Sequence, residues 1–62
     1  MSYRCYLTNN GKIETVEALD VATDEQAVRE AERVFHDREQ QYSGFEVWQR
    51  ARFIHRFPPS EG

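Results

Sequence analysis

The dipeptide Asn10-Gly11, set between two runs of strand-forming residues, restricts the fold of this chain more than any other feature. Both central residues of a type I′ turn need positive φ, and asparagine followed by glycine accepts that conformation at little cost. Tyr3-Arg4-Cys5-Tyr6-Leu7-Thr8 precedes the turn and alternates in character, and Lys12 to about Ala18 reads as the returning strand. On a two-residue loop Cys5 is expected to face Val16, Tyr3 to face Ala18 and Arg4 to face Glu17. A longer turn including Asn9 would slip this pairing and exchange the faces. Leu19 and Val21 break the alternation, so a bulge or exit loop is expected there.

Thr23-Asp24-Glu25-Gln26 is a helix start, with Thr23 capping free amides, Gln26 reaching back and the acids suiting the positive helix end. The helix is predicted from Asp24 to about Arg38. Ala27, Val28, Ala31, Val34 and Phe35 form one narrow apolar stripe, and Glu25–Arg29 and Arg33–Asp37 lie one turn apart on its flanks. Ser43-Gly44 closes the segment. Phe45 to Gln49 and Arg52 to Phe57 then read as two further strands joined by Arg50-Ala51. With that loop Val47 is expected to face Ile54 and Trp48 to face Phe53.

The pattern predicts an α+β fold of order β-β-α-β-β: two antiparallel hairpins in one sheet, with a single helix packed on one face. A single domain over residues 1–57 and a flexible C-terminal tail over 58–62, opening on Pro58-Pro59, are expected. The registers sort the side chains. Tyr3, Cys5, Leu7, Val16, Ala18, Phe45, Val47 and Ile54 fall on the helix side. Arg4, Tyr6, Thr8, Ile13, Thr15, Glu17, Glu46, Trp48, Phe53, His55 and Phe57 fall on the other. One helix covers one face only, and antiparallel sheets ordinarily keep the second face polar. Here it would present Tyr6, Ile13, Trp48, Phe53 and Phe57, and if these cluster the patch reaches roughly several hundred Å², the size at which exposed apolar surface marks an interaction site.

A chain of 62 residues buries only about 60% of its unfolded surface, so additions such as disulfides, metals or oligomers matter at this size. Cys5 is the only cysteine and is read as a small buried hydrophobe in a reduced compartment. The opening Met-Ser-Tyr-Arg-Cys-Tyr carries no charged region followed by an apolar run, and no stretch reaches membrane-span length. A cytoplasmic protein without membrane attachment is expected. The net charge of −3 is uneven: residues 13–39 hold nine acids against three arginines, whereas 47–57 hold Arg50, Arg52 and Arg56 with no acid.

Nucleophilic catalysis would need Cys5 beside His36 or His55 in an electropositive, partly open setting, yet Cys5 falls on a core strand. The candidate metal ligands Cys5, His36, Asp37 and His55 lack paired spacing. His36 reads as a solvated residue near the helix C-terminus, and His55 as a cross-hairpin partner of Glu46. No catalytic residue, cofactor or metal is expected, and the chain is read as not an enzyme. The first functional expectation is a protein-interaction module, a homodimer or one with a small protein partner, using Tyr6, Trp48, Phe53, His55 and Phe57. The alternative is a small nucleic-acid-binding accessory protein using Arg50, Arg52 and Arg56 beside the aromatic platforms. The acidic helix and the lack of lysine in the basic segment weigh against that alternative.

Tyr3-Arg4-Cys5-Tyr6, Gly11-Lys12-Ile13, Thr23-Asp24-Glu25-Gln26-Ala27 with Ala31, and Glu46-Val47-Trp48 followed by Arg52 and Arg56 carry a likeness over nearly the whole chain. Together they resemble a group of short bacterial proteins of unknown function, of the kind abundant in rhizobia and related alphaproteobacteria. These motifs are structural, and the resemblance implies no catalytic or binding residue. Relatives of that kind often carry glycine or aspartate in the last hairpin turn, where this chain has Arg50-Ala51.

Overall fold

A computed structural model describes residues 3–58; apart from Pro58, the expected tail lies outside the described residues. Strands β1 (Tyr3–Asn9) and β2 (Lys12–Leu19), helix α1 (Asp24–Asp37), and strands β3 (Gly44–Gln49) and β4 (Arg52–Phe57) follow in that order. The four strands form one antiparallel sheet of order β2-β1-β3-β4, so the fold is α+β, as the pattern predicts. The two hairpins lie side by side with their first strands paired at the centre.

Local chemistry explains where the elements begin and end. Asn10 and Gly11 take φ of 56° and 83°, the positive values the turn requires. The Gln26 amide donates to Thr23 Oγ1 at 3.2 Å, while Gln26 Oε1 accepts from the Ala22 amide at 3.0 Å, one residue before the cap. Glu25 pairs with Arg29 as expected, but Arg33 turns to Glu30 rather than Asp37. At the second turn Arg50 adopts φ of 56°, a conformation that glycine or asparagine takes with less strain.

Each hairpin carries one irregularity that the sequence reading lacks. Pairing from Tyr3↔Leu19 to Leu7↔Thr15 gives way to Thr8↔Ile13, leaving Glu14 as an extra residue on β2. Pairing from Phe45↔Phe57 to Val47↔His55 gives way to Trp48↔Phe53, leaving Ile54 extra on β4. Both bulges sit three residues beyond the turn, on the second strand of their hairpin. A bulge shifts the strand beyond it by one residue, and with a side-chain period of two that exchanges the faces.

Several expected placements are corrected as a result. Cys5 faces Glu17, Arg4 faces Ala18, and Val47 faces His55. Val16 and Ala18 leave the core for the open face, and Val16 is 49% exposed. Thr15 and Glu17 move to the helix side, where Glu17 accepts from Arg38 at 2.8 Å. Phe57 also turns to the helix side, packing against Phe35 (5.5 Å between ring centroids) and Phe45 (5.8 Å). His55 follows it, its ring 5.8 Å from that of Phe45, while Glu46 pairs instead with Arg56.

The core comprises Tyr3, Cys5, Leu7, Leu19, Ala27, Ala31, Phe45 and Val47, with Val21, Val34, Phe35, Tyr42 and Ile54 packed around it. Ala27 and Ala31 present only methyl groups to the sheet, which lets α1 settle over the central strands. Ion pairs hold both helix ends: Arg38 reaches Glu17 on β2, and Arg52 on β4 makes two bonds to Asp24 (2.8 and 3.0 Å). The Tyr3 hydroxyl also donates to Asp24, at 2.7 Å.

This last cluster has a pH signature. Bonds from Arg52 and then Tyr3 lower the Asp24 carboxyl from 3.8 to about 2. A folded-state value below the unfolded one stabilises the fold above the unfolded value, and the contribution disappears as pH falls through the folded value. The stability difference between wild type and Asp24→Asn is therefore expected to be constant above pH 5 and to shrink from pH 4 to 2 in urea titrations. A difference that stays constant to pH 2 would contradict the assignment.

Candidate functional site

Among the described residues no element lies over the side of the sheet away from α1. The molecule measures 29 × 27 × 16 Å, and its short dimension accommodates the sheet and one helix about 10 Å across. Cross-strand pairing arranges the open face in rows. Val16, Tyr6, Glu46 and Arg56 form the middle row. Ala18, Arg4, Trp48 and Phe53 lie toward the β3–β4 turn, and Ile13, Thr8 and Gly44 lie toward the opposite end.

Tyr6, Trp48 and Phe53 thus stand together on the open face as the alternation predicts, whereas His55 and Phe57 stand on the other. Ile13 at 58% and Phe53 at 47% exposure are the barest large apolar groups of this face beside Val16. The sequence reading missed Val16 and Ala18 here because no local signal marks the Glu14 bulge.

The aromatic half of the face is tied together by hydrogen bonds and ring contacts. The Trp48 indole N–H donates to Glu46 Oε1 at 3.0 Å, and Arg56 Nε donates to Glu46 Oε2 at 3.2 Å. Phe53 meets Trp48 edge-on at 5.4 Å, and the Arg56 guanidinium lies over the Phe53 ring at 5.4 Å. Glu46 therefore fixes both the indole and the cation that bracket Phe53, an arrangement in which neighbouring groups preset each other's rotamers. A shallow groove beside this cluster is lined by Tyr6, Ile13, Glu46, Trp48 and Arg50.

The arginines expected to act together are separated by the fold. Arg52 lies on the helix side with Asp24, Arg56 lies on the open face with Glu46, and Arg50 sits in the turn at the groove's end. The β4 bulge is the cause, since it places Arg52 and Arg56 on opposite faces. Cys5 has no exposed surface, and burial pushes its thiol up to about 12, so it is chemically quiet at neutral pH. Among the described residues no three His, Cys, Asp or Glu side chains converge, and no helix is long and apolar enough to cross a membrane.

Comparison with protein-family models, curated proteins and solved structures returned no match.

Proposed function

We propose that this domain is a non-enzymatic interaction module whose open sheet face is covered by protein, either a second copy or a small partner. One observation carries the reading: Tyr6, Ile13, Val16, Trp48 and Phe53 share the face that α1 leaves uncovered. Contiguous aromatic and aliphatic surface on a small domain costs solubility without strengthening its core, and it marks sites where a partner excludes water. Tryptophan, tyrosine and arginine, all present here, dominate the energetics of such contacts.

Trp48 is the single tryptophan and lies on the face itself, so its emission reports coverage directly. Light scattering at two concentrations distinguishes the occupants. A second copy raises the mass and shifts Trp48 emission to the blue as concentration rises, and Trp48→Glu, which leaves the chain without tryptophan, abolishes the rise in mass at a cost of about 1 kcal/mol of cross-strand and ring contacts, without unfolding the domain. A foreign partner leaves the free protein monomeric; a photo-cross-linker at position 48 then gives discrete adducts in the host that the same group at Glu25, on the exposed side of α1, does not. A strict monomer with no position-specific adduct would refute the reading, as would unfolding of Trp48→Glu.

A further inference from the structure

We infer that the open face docks an acidic, amphipathic segment of a partner protein, which seats an apolar side chain in the groove beside Trp48 and carboxylates against Arg4 and Arg50; this rests on the interaction reading above. Charge is the first observation. Among the residues that cross-strand pairing places on the face and its turn, three arginines (Arg4, Arg50 and Arg56) stand against one glutamate (Glu46), two net positive charges, with Glu14 at the β2 bulge outside the pairing. The rest of a chain whose total is −3 therefore carries five net negative charges. The molecule is polarised, with its cationic end on the uncovered side.

The arrangement of those cations is the second observation. Arg56 is already matched by Glu46, whereas neither Arg4 nor Arg50 makes an ion pair among the described residues. Both flank Trp48: Arg4 is its direct neighbour on β1, and Arg50 follows it by two residues into the turn and lines the same groove. An apolar residue entering between Tyr6, Ile13 and Trp48 would bring its flanking side chains within reach of two unmatched guanidinium groups. Carboxylates are the planar anions that a guanidinium binds in a fork.

Two rival occupants fit less well. A second copy docked face to face about a two-fold axis would set one cationic face against another, the arrangement that electrostatic complementarity selects against. A single-stranded nucleic acid would meet the Glu46 carboxylate in the groove and an aliphatic flank of Ile13, Val16 and Ala18 that offers no stacking surface.

An unbiased peptide library selected on the full chain and counter-selected on Trp48→Glu tests the inference. The peptides retained are expected to be acidic around an apolar residue, and their affinity is expected to fall about tenfold on the double variant Arg4→Glu/Arg50→Glu, which reverses two surface pairs. Raised salt should weaken binding in the same sense. Neutral or basic peptides, or affinity indifferent to the double variant, would overturn the acidic partner while leaving the interaction face in place. Selection of nothing that depends on Trp48 would overturn the acidic partner, and the interaction reading falls with it only if the protein is also a strict monomer with no adduct at position 48. A uridine oligonucleotide shifting the Tyr6 and Trp48 amides at lower concentration than any selected peptide would overturn it in favour of nucleic acid. A concentration-dependent dimer that buries Trp48 would overturn it in favour of a second copy.

Discussion

Leu7→Ala is expected to remove about a third or more of the stability of the fold, while Tyr6→Ala, one residue earlier, leaves the fold intact. Leu7 is fully buried between the sheet and α1, among the largest side chains with no exposed surface. Removing its three terminal carbons forfeits transfer energy and leaves a cavity that the methyl-lined helix side cannot fill, a loss of about 3 kcal/mol. Domains have roughly 0.05–0.15 kcal/mol of stability per residue, which for a chain this short is a total of the same order as that loss. Tyr6 points the opposite way, onto the uncovered face between Val16 and Glu46. Its truncation removes cross-strand contacts worth about 1 kcal/mol or less. Urea unfolding followed by far-ultraviolet circular dichroism separates the two variants. Similar losses at both positions would mean that the faces are not divided as described. Tyr6→Ala is further expected to weaken whatever covers Trp48, a functional loss without a matching structural one.

Gly44→Ala is expected to lower the melting temperature by more than about 10 °C, the shift that a loss of about 3 kcal/mol produces in a domain of this size. A β-carbon built on Gly44 would lie 2.3 Å from the Phe57 carbonyl oxygen, 3.0 Å from Pro58 Cδ and 3.1 Å from Thr8 Oγ1. The nearest of these is backbone, so the clash cannot be relieved by turning a side chain. Either β4 moves off β3 at its end, releasing Phe57 from Phe35 and Phe45, or Gly44 leaves its place opposite Thr8. Hydrogen exchange would show the damage as faster exchange where β3 begins and β4 ends, reaching the Asn10 amide that donates to Ser43 Oγ at 2.9 Å, with the Arg50-Ala51 turn largely unaffected. An unchanged melting temperature would contradict the close approach. In the sequence this glycine reads as a breaker after the helix. In the structure it opens β3, at a point where the backbone of a neighbouring strand comes too near for any side chain.

The legibility of the site follows the same division. Tyr6, Trp48 and Phe53 are correctly grouped from alternation because each lies between its turn and its bulge, or on an unbulged strand. His55 and Phe57 lie beyond the bulge at Ile54, and Val16 and Ala18 lie beyond the one at Glu14, so each is assigned to the wrong face. Arg52 looks like part of a basic hairpin, yet its partner Asp24 is 28 residues away at the start of α1. Nothing near Arg52 in the chain announces that partner.

Features set by neighbouring residues are determined by the sequence alone. Asn10-Gly11 dictates a turn because both residues tolerate positive φ, Thr23 and Gln26 dictate a helix start because they satisfy free amides, and Ala27 and Ala31 dictate the buried side of α1. Strand order, the two bulges, the close approach at Gly44 and the Asp24–Arg52 pair were decided only in three dimensions. A period-two pattern has no memory of phase, so one extra residue costs little locally and reverses every side chain beyond it. Burial decides where that residue goes: with Glu14 extra, Leu19 is buried and Glu17 meets Arg38, and with Ile54 extra, Phe57 packs against Phe35. The same choice sets the composition of the uncovered face, so the surface assigned to a partner is a product of how the core was filled.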